Sequence, residues 1–362
     1  MMKIYLNRNI YFIRDSLPDF IKILYTNDFS GSFLRENQIN AIFIRSNEKI
    51  THQLLKGTNV EFIATATSGT DHIEPGIPHY YAPGSNANSV AEYVIFSICK
   101  YLNIINEKPT NKRIGIIGYG NIGRLVAYYC HQLGFHIFVN DPPLKDIRYD
   151  FPEYITYFEL KDIFENCHII TNHVPLTKSG DYPTFNLINR YLLKLIPENS
   201  LFIHTSRGGI VNQNDLTNEF NNKKVFLAID VWENEPYFDL ELVKMAMLAT
   251  PHVAGYSYDG KIKASKQVLQ HFENHFGIDV DFTILNKELA KSKRTDINEF
   301  KNINELCNLL DSVRKFSEDK IEFSKFGFND KEQIKSYFIE FRANYPHRSE
   351  VLLLPNEIEI IH

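Results

Sequence analysis

The sequence predicts an α/β fold: two Rossmann- or flavodoxin-like parallel-sheet lobes with a cleft between them, and a small C-terminal α+β module. Three observations predict it. Short β-rich runs alternate with polar, helix-capable segments twice over, first within 1–82 and again within 113–249. One long apolar-periodic stretch near 88–105 separates the two series. After about Leu285 this pattern stops, and the remaining chain is too short for a third lobe.

The first series predicts strands at 3–6, 21–25, 41–44, 61–66 and 80–82. The intervening stretch carries Val90, Val94, Ile98, Tyr101, Leu102 and Ile105 at helical spacing and ends before the breaker pair Lys108-Pro109. The second series predicts strands at 113–117, 136–140, 168–171, 201–204, 226–231 and 247–249. Residues 286–300, NKELAKSKRTDINEF, are polar and charged and read as a linker. Beyond it NELCNLLDSVRKF reads as a helix, as does EQIKSYFIEFRANY, with Ile334, Tyr337, Phe338 and Phe341 on one face.

Composition narrows the function. Of 362 residues, 44% are hydrophobic and 23% charged, which are globular values. A formal net charge of -5 argues against a general nucleic-acid surface, so an anionic substrate needs a local basic pocket. Cys99, Cys130, Cys167 and Cys307 are too few and too scattered for a disulfide framework or a thiolate metal site. The N-terminal MMKIYLNRNIYFIRDSL places charges within any would-be signal core, and no run approaches the roughly 18 apolar residues of a membrane span. The expectation is a cytoplasmic protein that binds neither membrane, nucleic acid nor metal.

Gly118-Tyr-Gly120-Asn121-Ile122-Gly123 follows the β-rich IGII and opens a helix carrying Leu125, Val126, Tyr129 and Leu133. In that context the glycines read as a dinucleotide loop. Gly118 permits the tight turn, Gly120 lets the backbone approach a pyrophosphate, and Gly123 allows close helix–strand contact. The helix N-terminus adds free N–H groups and positive dipole. Asp141, eighteen residues past Gly123, ends the next strand. A carboxylate there accepts from ribose hydroxyls and repels a 2'-phosphate, which favours NAD over NADP. The bland alternative is a cap on the turn into Pro142-Pro143.

Three further residues stand at successive strand ends: Arg207 in HTSRGG, Glu235 in DVWENEP and His252 in TPHVAGY. Oxidising a 2-hydroxy acid requires removal of the hydroxyl proton as hydride leaves the same carbon, a task for an imidazole. His252 is the candidate base. Glu235 is the carboxylate that would fix its tautomer, and Arg207 the guanidinium for the substrate carboxylate. Each alone has a bland reading; their joint occurrence after a glycine loop carries the weight. A phosphorylated substrate would need more cations and hydroxyls, and Arg45-Ser46 and Thr67-Ser68-Gly69-Thr70 supply them at two strand ends.

The blocks SRGGIVN, DVWENEP and TPHVAGYS resemble the signatures of the D-isomer-specific 2-hydroxyacid dehydrogenases. FIRSNEKI, ATATSGTDHIE, YAPGSNANSVAEYV, NDPPL, HVPLTKSGDYPTFNLIN and the C-terminal LDSVRKFSEDKIEF and FRANYPHRSE are similar to the branch that oxidises 4-phospho-D-erythronate. That resemblance implies a substrate lobe split into 1–90 and 255–285, an NAD-binding lobe at 91–254, and a C-terminal dimerisation domain at 286–362 of a homodimer. It implies catalytic roles for Arg207, Glu235 and His252, and substrate roles for Ser46, Thr67 and Tyr256. Asp141, Thr205, Ser206, Asp230 and Gly255 fall on cofactor positions. At Val174, where the family often has Thr, a hydroxyl near the cofactor is lost. Rival readings are a dehydrogenase of glycerate or 3-phosphoglycerate, and a non-catalytic NAD-sensing scaffold. Arg342 and Arg348 read as cations of a solvated face, a reach into a partner's pocket being the other reading. Trp232 is the lone tryptophan, three residues before Glu235.

Overall fold

A computed structural model describes residues 1–221, 223–327, 330–355 and 358. The chain divides into two compact units, one formed by Met1–Asn86 with Ser257–Lys293, the other by Ala87–Tyr256 with the described part of Arg294–Glu359. The polypeptide therefore leaves the first unit, completes most of the second, and returns.

The first unit holds a four-stranded parallel sheet of β1 (Lys3–Leu6), β2 (Lys22–Leu24), β3 (Ala41–Ile44) and β4 (Phe62–Thr65), in the order β2-β1-β3-β4. Ala-Ile-Phe-Ile and Phe-Ile-Ala-Thr are buried throughout, as strands covered on both faces must be. Phe272, on the helix Tyr258–Phe276, packs against Phe43 and Phe62 at 5.6 and 5.5 Å between ring centroids. The strand expected at 80–82 is reduced to one bridge between Ala64 and Tyr80, too short to make a ladder.

The second unit holds a seven-stranded parallel sheet: β5 (Arg113–Ile117), β6 (His136–Asn140), β7 (Ile155–Tyr157), β8 (Ile169–Asn172), β9 (Leu201–His204), β10 (Phe226–Ile229) and β11 (Leu248–Ala249). Its order is β11-β10-β9-β8-β5-β6-β7. The chain thus works outward from β5 on one side and from β8 on the other, so the crevice beyond the carboxyl ends of β5 and β8 is the topological switch point. The helix Ala87–Ile105 is buried on nearly every face, and its buried polar groups are spent on hydrogen bonds, Glu92 on Arg314 and Asn88 on the Leu352 carbonyl.

Two expectations need correction. β7 has only three residues, below the length at which alternation is legible. The supposed linker at 286–300 contains most of a helix, Thr283–Ala290, whose Leu285 is fully buried while Lys287 faces water and Glu288 accepts from the Tyr258 hydroxyl at 3.1 Å. Beyond it, the helices Ile303–Arg314 and Lys331–Ala343 cluster with the second unit, Leu306 and Leu310 joining its main core. Among the described residues of this segment the β component is a single bridge, Thr295 to Leu352. No helix among the described residues is long and apolar enough to cross a membrane.

Candidate active site

The glycine loop leaves β5 at the switch point. Gly118 has φ +89°, and a Cβ there would lie 3.0 Å from both the Val174 amide nitrogen and its Cγ1. At Gly123 a Cβ would sit 2.1 Å from the Gly118 carbonyl oxygen, so only glycine lets this helix start so close to the strand. Above Gly120, by contrast, a Cβ would meet nothing within 4 Å, and Gly120 is the N-cap of the helix Asn121–Gln132. A tight turn, an open face and a helix N-terminus are what a pyrophosphate takes. The Ile122 side chain is half-buried and packs against the main core.

Asp141 follows β6, and its two oxygens accept from the Tyr119 N–H at 2.8 Å and the Leu144 N–H at 3.1 Å. The capping reading of Asp141 is therefore realised. It leaves each carboxylate oxygen a further acceptor direction, so capping does not use up the acceptor capacity of Asp141. After β8 and β9 come Val174, Thr205 and Ser206. The Ser206 hydroxyl donates to the Asn172 side chain, while Thr205 Oγ1 is buried without a partner. That orphaned hydroxyl, together with the loop, fits a bound dinucleotide. Val174 puts a methyl against Gly118 where a hydroxyl was expected.

The catalytic candidates follow adjacent strands. Arg207 stands three residues past β9 and donates from Nη1 to the Ser206 carbonyl at 2.8 Å. Gly208 then presses on the next loop: a Cβ there would lie 2.1 Å from the Trp232 carbonyl oxygen. This close approach joins the Arg207 loop to the turn carrying Glu235. Glu235 Oε1 accepts from the Trp232 N–H at 3.1 Å, and His252 Nδ1 lies 2.9 and 2.8 Å from the two carboxylate oxygens. Both side chains stay about a quarter exposed.

Burial acts to raise the Glu235 pKa. The His252 charge, the hydrogen bonds from His252 and the Trp232 amide, and the field of Arg342 outweigh it and hold the carboxyl below its ordinary value. An ionised carboxylate only accepts, so a proton sits on His252 Nδ1, and in the neutral imidazole Nε2 is the nitrogen left with the lone pair.

His252 adopts φ 57°, a left-handed conformation that a side-chain-bearing residue keeps only when its surroundings enforce it. Asp230 enforces it. Its carboxylate, 1% exposed, accepts from the Thr250 hydroxyl at 2.6 Å and from the Val253 and Ala254 amides at 2.8 and 3.0 Å. The Trp232 indole N–H adds a bond to the Thr250 carbonyl at 3.0 Å. Asp230, expected at the cofactor, and Trp232 thus clamp the loop that carries the imidazole; sequence reasoning missed both clamps. Gly255 closes the turn through which Tyr256 N–H bonds Val253 O at 2.8 Å.

His204 is fully buried and His173 half-buried, and desolvation pushes each pKa down to about 3. Both are neutral across the working pH range.

The remaining candidates gather in the first unit. Arg45 and Ser46 follow β3, where the Arg45 amide donates to Glu48 Oε2 at 3.0 Å. Glu48 also accepts from the Tyr5 hydroxyl at 3.0 Å and from the Asn7 side chain. Thr67 follows β4; its hydroxyl donates to the Gly69 carbonyl at 2.7 Å and lies 2.7 Å from that of Thr65. Arg45, Ser46 and Thr67 therefore share the carboxyl edge of one sheet, and Arg207, Glu235, His252 and Tyr256 belong to the other unit.

The solvated-face reading of the C-terminal arginines is overturned. The Arg348 side chain is only 12% exposed and bonds Asp319 and the Arg314 carbonyl. Arg342 lies 5.5 Å over the Tyr256 ring. Asp319 and the Arg314 carbonyl lie 29 and 34 residues before Arg348, and Tyr256 lies on a different element from Arg342, beyond the reach of local pattern.

Residues 97–254 match the model of the D-isomer specific 2-hydroxyacid dehydrogenase NAD-binding domain. The erythronate-4-phosphate dehydrogenase of Bacteroides thetaiotaomicron is 36% identical over 293 residues, which cover 78% of this chain and 82% of that one. The enzyme of the same name from Wigglesworthia glossinidia brevipalpis is 34% identical over 76% of this chain and 74% of its own. The chain belongs to the erythronate-4-phosphate dehydrogenase family. Among solved structures it shares the fold of a D-lactate dehydrogenase from Aquifex aeolicus complexed with NAD and lactic acid. The TM-score is 0.61 at 22% identity, over 76% of this chain and 96% of that one. An NAD-bound 3-phosphoglycerate dehydrogenase from Entamoeba histolytica gives 0.60 at 20% identity, over 76% and 95%. Those neighbours are spanned almost whole while a quarter of this erythronate-4-phosphate dehydrogenase family chain stays uncovered. Among the described residues no group of three or more His, Cys, Asp or Glu could hold a metal ion.

Proposed function

We propose that this protein oxidises 4-phospho-D-erythronate to 2-oxo-3-hydroxy-4-phosphobutanoate with NAD, an early step toward pyridoxal 5'-phosphate. The observation that carries the reading is the Glu235–His252 pair, braced on the same sheet as the glycine loop and beside Arg207. The names of its relatives supply the substrate.

In this reading the Arg207 guanidinium takes the substrate carboxylate as a planar fork and fixes C2 toward the imidazole. His252 Nε2 accepts the C2 hydroxyl proton, and ionised Glu235 stabilises the imidazolium that results. Bound NAD supplies the acceptor for the hydride that leaves C2. The Asn121–Gln132 helix start and the Gly120 opening would hold its pyrophosphate, Asp141 its ribose, and Thr205 and Ser206 the wall beside it. Ser46 and Thr67 offer hydroxyls to the substrate, with Arg45 as a cation for its phosphate. Catalysis takes place in the cytoplasm in a homodimer assembled partly through the C-terminal segment, which sedimentation at working concentration would test.

The deciding experiment is NADH formation with 4-phospho-D-erythronate beside glycerate, lactate and 3-phosphoglycerate. A kcat/KM highest for 4-phosphoerythronate is expected; a preference for another acid would refute the assignment.

A further inference from the structure

The C-terminal segment contributes a cation to the catalytic unit. Arg342 sits near the end of the helix Lys331–Ala343, with its guanidinium carbon 5.0 Å from the Phe338 ring one turn back and 5.5 Å from the Tyr256 ring. Its Nε is buried and has no hydrogen-bond partner. A buried guanidinium donor left unspent is costly, and an acceptor brought by a ligand beside Tyr256 would satisfy it. The surroundings are fixed rather than adaptable. The Tyr256 carbonyl accepts from Arg314 Nη2 at 2.9 Å, and Arg314 is itself fully buried on Glu92 and Ser89. Tyr345 meets the Tyr256 ring edge-on at 5.4 Å and anchors its hydroxyl on Asp319 at 2.6 Å. Arg342 is thus held against a residue four positions past the base, and its field reaches Glu235.

We propose that Arg342 is a specificity-determining substrate residue that acts in its own chain, its guanidinium taking the terminal phosphate of the substrate beside Tyr256. This rests on the functional reading above, in which the substrate carries a carboxylate and a phosphate. Arg207 neutralises the first; Arg45 offers one cation to the other, and Arg342 adds a second planar fork from the opposite unit of the chain.

The test compares Arg342→Met and Arg342→Lys with the unaltered protein on 4-phospho-D-erythronate and on unphosphorylated D-erythronate. NADH binding followed by fluorescence reports folding. Arg342→Met should lower kcat/KM for the phosphorylated acid about 100-fold, mainly through KM, and change it less than about threefold for D-erythronate. Arg342→Lys should recover part of the loss, since it restores charge without the fork. Equal losses on both acids would assign Arg342 a structural or positioning role and overturn the proposal, as would unchanged discrimination. Restored activity on mixing Arg342→Met with His252→Ala chains would place the arginine across a dimer and overturn action in its own chain. If the unaltered protein does not favour the phosphorylated acid, the functional reading fails and this inference with it. If it does and Arg342→Met discriminates equally well, only the inference fails.

Discussion

The loop bearing His252 and the loop bearing Ser46 are both tied to a buried carboxylate, yet they are held to different degrees. Asp230 gathers a hydroxyl and two successive amides from the 250–254 loop, and Trp232 adds a fourth tie, so His252 is locked in a left-handed backbone conformation. Glu48 gathers one amide of its own turn and two side chains from the neighbouring strand end, leaving Ser46 exposed. Proton transfer depends on placement to a fraction of an ångström, and such preorganisation must be built into the resting protein. Recognition of a flexible acid tolerates a looser frame. The difference predicts that damage to the first region appears in kcat and damage to the second in KM.

The largest effect should come from Glu235→Gln, which keeps the shape but removes the charge that stabilises the imidazolium. We expect kcat to fall on the order of 100-fold or more with little change in NAD affinity. Steady-state rates within threefold of the original would deny Glu235 that role. Next, Asp230→Ala should strand three donors and release the His252 backbone. A stability loss of about 3 kcal/mol and a roughly tenfold fall in kcat are expected, read from thermal unfolding and from turnover. A normal kcat in this variant would mean that the clamp does not matter for the imidazole. In the looser region, Ser46→Ala with Thr67→Val should raise KM for the phosphorylated acid about tenfold while kcat stays within about threefold. A loss confined to kcat would invert the comparison.

The smallest effect on turnover, and the most specific to the wall behind the site, concerns pH. His173 and His204 titrate at about 3 when folded against about 6.5 when unfolded. Between those values the unfolded chain binds the extra protons, so stability must fall as pH drops from about 6.5 toward 3. Replacing both histidines by Asn should flatten the decline of unfolding temperature over that range. An unaltered slope would show that they do not contribute.

Much of this was readable in the chain itself. The alternation of apolar runs located ten of the eleven strands among the described residues, because a buried parallel strand leaves a short apolar stretch such as the IGII of β5 or the LFI of β9. The glycine loop, Asp141 and the Arg207, Glu235, His252 set were legible because each chemistry demands a particular residue at a strand end. What stayed hidden depends on long-range closure. Nothing local to Asp230 says that its carboxylate will be spent on residues twenty positions on, or that Gly208 must yield to the Trp232 carbonyl. Arg342 and Arg348 looked solvated because the rings and carboxylates that receive them arise elsewhere in sequence. β7 was too short to register, and Thr283–Ala290 showed its charged face more strongly than its one buried leucine.

The central claim is that His252 removes the hydroxyl proton as hydride passes to NAD. Its most direct test is NADH formation from 4-phospho-D-erythronate by the original protein and by His252→Ala, with NADH binding verified in both. The account predicts turnover in the first and a loss of about a thousandfold or more in kcat for the second. Undiminished turnover by His252→Ala would contradict it.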